Sequence, residues 1–232
     1  MISIIIPTCN EAVIIQRCLA HLAKVDGKKE VIVVDGGSSD GTRSIVRRHK
    51  SAVLVSSSPG RALQQNAGAK KAKGDILLFL HADTKLPRHA LTYILSMEKR
   101  YGWGAFFVQY AASSLLLKLI SWKANHIRLS LFHLPFGDQA IFVKKSMFRR
   151  LGGFPPIPIM EDMGLSKKLR KEGKPGIITH HVITSSRRFS GRIFSTYLKM
   201  GLIRLLYACA IPPALLHKIY YKKSCSAKER IY

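Results

Sequence analysis

Acidic and amide side chains stand where the apolar runs of this sequence end. The run "SIIIP" leads into Thr8, Asn10 and Glu11, "VIVV" into Asp35 and then Asp40, and "ILLFL" into His81, Ala82 and Asp83. A carboxylate after the second run is placed to accept the N–H or ribose hydroxyl groups of a nucleoside. One after the third run can hold a divalent cation, which neutralises a diphosphate as it leaves. His81 ligates Mn²⁺ or another transition ion more readily than Mg²⁺, which prefers oxygen; it equally fits a ring turned toward a phosphate or the backbone. Each exit alone also reads as a turn or cap, with Asn10 capping the following helix and Asp40-Gly41 forming a turn. Three such exits on one edge point instead to a site.

The elements that would position them follow from the pattern. Short apolar runs at Ile2 to Pro7, Glu30 to Asp35 and Asp75 to Leu80, and a weaker one at Ala52 to Ser56, read as strands, the uniformly apolar Asp75 to Leu80 run as one covered on both faces. Helical stretches lie between and after them, near Glu11 to Ala23, Thr42 to His49, Arg61 to Ala72 and Arg88 to Lys99, with Pro87 in the first turn of the last. Strands alternating with helices imply βαβ units and a parallel sheet, whose ligand crevice lies outside the carboxyl ends of the strands. Arg61, Gln64 and Asn66 face that crevice if their helix starts near Gly60, and Arg61 then reaches a phosphate. Past Tyr101 the pattern predicts a strand at "WGAFFVQY", a long amphipathic helix from Leu115 to Phe132, a strand at "QAIFVKK", a helix over "MEDMGLSKKLRKEGK" ending at Gly173, and a strand at "PGIITHHVITSS". His180 and His181 in that strand read as structural or exposed. Alone, Glu161 and Asp162 read as acids favoured by a helix N-terminus.

Composition and missing motifs narrow the function. The first exit lacks both GxGxxG and GxxxxGK followed by Ser or Thr, so neither a dinucleotide-binding fold nor a P-loop is expected. The 232 residues suit one large domain. With 38 Lys and Arg against 13 Asp and Glu, the net charge of +25 draws the protein to a polyanion: nucleic acid, anionic lipid or a phosphate-bearing small molecule. Acids at three strand exits argue against simple nucleic-acid binding, and no nucleic-acid module is legible, so no specific nucleic-acid partner is expected. The four scattered cysteines suggest neither a zinc site nor a disulfide framework but a reduced, cytoplasmic setting, and the amino terminus reads as a strand, not a signal peptide. "SSLLLKLISWKANHIRLSLFHLPF" and the tail from Phe194 to Lys223 are apolar and basic together. Lysines and arginines interrupt both, so they suit an interfacial helix on an anionic leaflet, the inner face of the cell membrane, or helices packed on the sheet.

"IIIPTCNE", "VIVVDGGSSDGT", "GDILLFLHADTKLP" and "MEDMGLSKKLR" resemble the signature blocks of family 2 glycosyltransferases, inverting enzymes of the GT-A fold. "SPGRALQQNAGAKKAKGDILLFLHADT", "GDQAIF", "LGGFPPIPIMED" and "TSSRRF" are similar, more narrowly, to a bacterial branch described as radical-SAM/selenodomain-associated or arsenosugar-biosynthesis glycosyltransferases. The resemblance implies an α/β GT-A domain over residues 1–190, with a mixed, mostly parallel sheet and flanking helices. Its nucleotide-binding half would be about 1–100 and its acceptor half about 101–190, with basic amphipathic helices over 191–232. It implies a nucleotide-sugar donor of UDP or GDP type, an acceptor of unknown identity, and Mn²⁺ or Mg²⁺, with Mn²⁺ favoured. Pro7, Thr8, Asn10 and Glu11 match the loop that meets the nucleoside, and Asp35 matches the carboxylate that contacts the base. Arg61, Asn66, His81 and Ala82 would lie along the nucleotide, and Asp83 matches the last Asp of the DxD motif, which reaches the metal. This sequence has His81 where that motif has its first Asp. Asp162 matches the general base, with Glu161 as its companion. Gly137, Asp138 and Gln139 would contact sugar or acceptor, and Arg187 and Arg188 would clamp the diphosphate. The alternatives are a non-catalytic basic protein that binds nucleic acid or membrane, and a metal-dependent nucleotidyltransferase, which would show a basic phosphate loop where this chain has "PTCNEA".

Overall fold

The apolar runs form one half of an eight-stranded sheet. The computed structural model describes residues 1–112, 114–189 and 191–221. Strands β1 (Ile2–Thr8), β2 (Lys29–Asp35), β3 (Ala52–Ser56) and β4 (Ile76–Phe79) alternate with helices α1 (Ala12–Leu22), α2 (Thr42–Arg48) and α3 (Arg61–Lys71). There follow β5 (Thr84–Lys85), α4 (Ala90–Tyr101), β6 (Trp103–Tyr110), α5 (Leu115–Trp122), β7 (Phe142–Lys144), α6 (Lys145–Arg150), α7 (Glu161–Lys171), β8 (Gly176–Thr184), α8 (Ile193–Ala208) and α9 (Pro213–Tyr221). The strand order is β3-β2-β1-β4-β7-β6-β8-β5. The first four strands run parallel, β7 is antiparallel to both its neighbours, and β6 and β8 are parallel. This is the mixed, mostly parallel α/β sheet expected from the sequence.

The period of two in β1 assigns its side chains to opposite faces. Ile4 and Ile6 join α1 and α4 in one core, whereas Ile5 joins α3 and α7 in the other. Gly68 permits the close approach on that second face, because a Cβ there would sit 2.5 Å from Ile5 Cγ2. The tail is not a detached arm: Met160 and Met163 pack with Ile203 of α8 and Leu216 of α9, and Tyr110 and Leu117 pack with Phe189. Both outer helices still expose apolar side chains, among them Leu115, Trp122, Phe194, Leu198 and Leu202.

Several sequence expectations require correction. The stretch from Leu115 to Phe132 is not one α-helix: α5 ends at Trp122 and nine residues, Lys123–Leu131, continue as a π-helix. The widened turn lets Asn125 bond both the N–H and the C=O of Val108, at 2.8 and 3.0 Å, which ties the segment to β6. Pro87 precedes α4 instead of opening it; its carbonyl accepts from the N–H of Ala90 in a lead-in turn. Asn10 does not cap α1. It adopts φ 52°, and its side-chain oxygen accepts from the N–H groups of Ser39 and Asp40. The first N–H of α1, on Ala12, is capped instead across the crevice by Asp40, 3.1 Å away. The tail expectation reaches residues 222–232, including Cys225, which lie outside the described residues.

Candidate active site

β5 was not anticipated from the sequence, and it decides the geometry of the crevice. Thr84 and Lys85 pair antiparallel with Thr184 and Ile183 of β8, and the hydroxyls of Thr84 and Thr184 lie 2.9 Å apart. That pairing brings Asp83, just before β5, beside Arg187, just after β8. Arg187 Nε lies 3.1 Å from Asp83, and its terminal nitrogens reach both oxygens of Glu11 at 2.6 and 3.1 Å. Two exits that sequence reading brought together thus share one guanidinium, which contacts Asp83 through Oδ2 and leaves Oδ1 for a cation. Bidentate pairing of this kind is the strong form of the interaction.

Arg188 differs from its neighbour. It makes no hydrogen bond or ion pair among the described residues. Its side chain is exposed, and its charge is felt by His81, Asp138, Glu161 and Tyr221, which puts it on the rim of the crevice. Of the two arginines only Arg188 offers an uncommitted fork to a diphosphate.

His81 stands at the centre. Burial, and then the charge of Arg61, push its pKa down to about 4, so the imidazole is neutral. Its ring fills the space that a side chain on Gly137 would need, since a Cβ there would lie 2.5 Å from Nε2. The N–H of Gly137 in turn donates to Asp162 Oδ2 at 3.1 Å, and the N–H of Met163 donates to Oδ1 at 2.7 Å. Asp162 is therefore held by two backbone donors at the start of α7. Glu161 is 5% exposed and lies 3.5 Å from Arg61; burial raises its pKa, Arg61 opposes this, and the charge of Asp162 adds to the rise. The two adjacent acids thus have different environments, one buried against a guanidinium and one held by amides.

Other predicted site residues are used structurally. The Asp35 carboxylate is 1% exposed and accepts from the N–H groups of Gly37 and Ser38 and from the Ser38 hydroxyl, so it shapes the turn after β2. Asn66 does not face the crevice, because its amide bonds the C=O and N–H of Phe154 at 2.8 and 3.0 Å. Gln64 is likewise buried, bonding the carbonyls of Thr8 and Val34. The Ala82 methyl packs in the core, and Pro7 is buried beside Val34. Thr8 is buried too, and its hydroxyl lacks a hydrogen-bond partner. Gln139, fully buried, receives Arg128 and bonds the carbonyl of Ala124; it secures the π-helix and does not line the crevice. Asp138 accepts from Tyr110 Oη at 2.8 Å and Arg128 at 2.9 Å. His180 stacks on Tyr93 and His181 meets Phe107 edge-on. Sequence reading missed Tyr110 and Arg128; the signal available was their position on elements flanking "GDQ".

Among the described residues no three His, Cys, Asp or Glu side chains cluster as a ready metal site. The donor set is one carboxylate, Asp83, with a neutral imidazole near it. That fits an ion which takes its remaining ligands from a diphosphate and water.

Comparison with known proteins gives the family. The profile described as "Glycosyl transferase family 2" matches residues 3–150. The chain belongs to that family. It is a glycosyltransferase, and the simple nucleic-acid binder and the nucleotidyltransferase are set aside. The match ends before Asp162, Arg187 and Arg188, whose roles rest on geometry and resemblance. The PGL/p-HBAD biosynthesis glycosyltransferase of Mycobacterium bovis is 28% identical over 210 residues, covering 82% of this chain and 78% of that protein. Glycosyltransferase AglE of Haloferax volcanii is 37% identical over 91 residues, a stretch that is 35% of this chain and only 30% of AglE. In three dimensions the chain is similar to a mannosyltransferase of Pyrobaculum calidifontis, in complex with GDP-Man and Mn²⁺, with TM-score 0.71 and 22% identity over 97% of this chain and 70% of that one. That similarity shows the GT-A architecture.

Proposed function

We propose that this glycosyltransferase moves a sugar from a nucleoside-diphosphate donor to an acceptor hydroxyl with inversion, assisted by a divalent cation. The observation that carries the reading is that Asp162 is fixed by two backbone N–H groups while Arg188, without a hydrogen-bond or ion-pair partner among the described residues, acts by its charge on the adjacent Glu161. The acceptor O–H proton passes to the Asp162 carboxylate as the oxygen bonds to the anomeric carbon. The bond from that carbon to the diphosphate oxygen breaks, and its electron pair leaves with the nucleoside diphosphate. Arg188 stabilises the charge that develops there. Asp83, with His81 beside it, would hold the metal, which supplies further positive charge to the leaving group. A neutral imidazole there favours Mn²⁺ over Mg²⁺, and the GDP-Man and Mn²⁺ complex of the Pyrobaculum enzyme supports a donor and ion of this class. The narrower arsenosugar-related branch is supported by the motif blocks alone.

No helix among the described residues is long and apolar enough to cross a membrane. The exposed apolar side chains of α5 and α8, with Lys118 and Lys123 on the same segment, support peripheral contact with an anionic leaflet.

Asp162→Asn tests the reading. Thermal shift with UDP, GDP, CDP and dTDP, each with Mn²⁺, Mg²⁺ or EDTA, first identifies the donor nucleotide. With the matching nucleotide sugar, the variant should bind the donor normally and lose about 10²–10⁴-fold in turnover. Near-normal turnover would remove Asp162 as the base.

A further inference from the structure

On the acceptor side of the crevice a pocket of about 430 Å³ opens between the π-helix, the loop at Phe136 and α8. Its walls include Tyr110, Phe136, Met163 and Phe189, together with two guanidiniums, Arg128 and Arg204. Arg128 is committed to Asp138 and Gln139 and lies over the Phe136 ring at 4.2 Å. Arg204 is not committed to any acid. Its Nε donates to the carbonyl of Met200 in its own helix, and its guanidinium lies 5.9 and 5.7 Å from the ring centres of Phe136 and Tyr197. No carboxylate among the described residues is within ion-pair distance of it. Burial and the nearby Arg128 charge both disfavour its protonated form. A guanidinium stays charged in proteins, and Asp138 is taken by Arg128, so the charge of Arg204, like that of Lys123 on the same wall, has no carboxylate partner among the described residues and is available to a ligand.

The same walls touch the reacting groups. Met163 donates its N–H to Asp162, Phe136 adjoins Gly137, whose N–H also holds Asp162, and Tyr110 donates to Asp138. Outward, the pocket reaches Phe132, which is 52% exposed, and the apolar faces of α5 and α8. We propose that this pocket is the acceptor subsite and that the acceptor is an amphiphile. An anionic phosphate sits on Arg204, an apolar chain lies on the aromatic and methionine walls toward Phe132, and the hydroxyl is presented to Asp162. The assignment rests on the transferase reading above for the word acceptor; the anion and apolar parts of the site do not.

The probe is n-octyl phosphate below its micellar concentration, with n-octanol and inorganic phosphate as controls, measured by calorimetry on the full chain. Wild type should bind octyl phosphate at least about tenfold more tightly than either control, a difference of the size expected for one charge-assisted hydrogen-bond pair. Arg204→Gln should abolish that advantage, Arg204→Lys should retain part of it, and all three proteins should bind the nucleoside diphosphate identically, which also reports that they are folded. Octanol or inorganic phosphate binding wild type as tightly as octyl phosphate would overturn the proposal, as would Arg204→Gln binding octyl phosphate like wild type. Failure of wild type to bind any nucleoside diphosphate, with the octyl phosphate pattern intact, would overturn the proposed donor and mechanism and leave the amphiphile site standing.

Discussion

Gly137 stands between two groups that the proposed mechanism uses, so a single methyl there is an informative perturbation. A Cβ at this position would lie 2.5 Å from His81 Nε2 and 3.0 Å from Cε1, whereas the Gly137 N–H is 3.1 Å from Asp162 Oδ2. Ordinary carbon contacts lie near 3.5 Å, so either the imidazole or the Gly137 backbone must yield by about 1 Å. Movement of the ring shifts His81 relative to Asp83, and movement of the backbone stretches the amide bond to Asp162 beyond hydrogen-bonding length. Misplacement of about 1 Å in a catalytic constellation costs on the order of 10²-fold in rate. Overpacking of one methyl costs about 1–3 kcal/mol in stability, or roughly 2–12 °C in Tm for a chain of this size. Gly137→Ala should therefore fold, melt somewhat earlier, and show kcat reduced by about 10–100-fold with donor KM little changed. The assay is steady-state turnover of the donor identified by thermal shift, beside a melting curve. Wild-type kcat at an unchanged Tm would mean that neither the His81 ring nor the Gly137 amide positions anything.

Two further substitutions separate structural from ligand-binding roles. Asn66→Ala leaves the N–H and C=O of Phe154 without their partner, which should lower stability by about 2 kcal/mol, or roughly 4–8 °C, with nucleotide affinity intact; the opposite pattern in melting and nucleotide titration would return Asn66 to the donor site. At Asp138, burial alone would raise the pKa, but Arg128 and the Tyr110 hydroxyl outweigh it and hold the carboxyl below its ordinary value of 3.8. A depressed carboxyl stabilises the fold above its unfolded pKa, and that contribution is lost as pH falls through the lower folded value. Urea unfolding from about pH 6 down to about pH 2 should therefore show wild type and Asp138→Asn converging at the acid end, and parallel curves would refute the assignment.

In the parallel half of the sheet β1, β2 and β4 were legible because they are buried on both faces and therefore read as uninterrupted apolar runs, whereas β3, a partly exposed edge strand, gave the weaker signal; all four lie within two residues of their expected bounds. The second half obeys rules that sequence period does not carry. β5 has two residues and no apolar pattern, and it forms because β8 offers an edge to pair with. The π-helix after Trp122 keeps a helical hydrophobic look while its hydrogen bonds span one residue more, so residue type alone cannot distinguish it from the α-helix expected there.

The candidate site was legible in part for the same reason. Strand exits could be read as a shared edge, which brought Glu11, His81 and Asp83 together, but the partner of a carboxylate cannot be read from the carboxylate. Asp35, Asn66 and Gln139 have residue types suited to a ligand, and their hydrogen bonds go to the turn after β2, to Phe154 and to the π-helix. The arginine pair shows the limit most clearly. Arg187 and Arg188 are adjacent, equivalent in type and both suited to phosphate, yet the pairing of β5 with β8 delivers Arg187 to Glu11 and Asp83 and leaves Arg188 facing His81 and Glu161. A two-residue strand thereby divides the work. One guanidinium is bound to acids of two exits, and the other has no acid partner among the described residues.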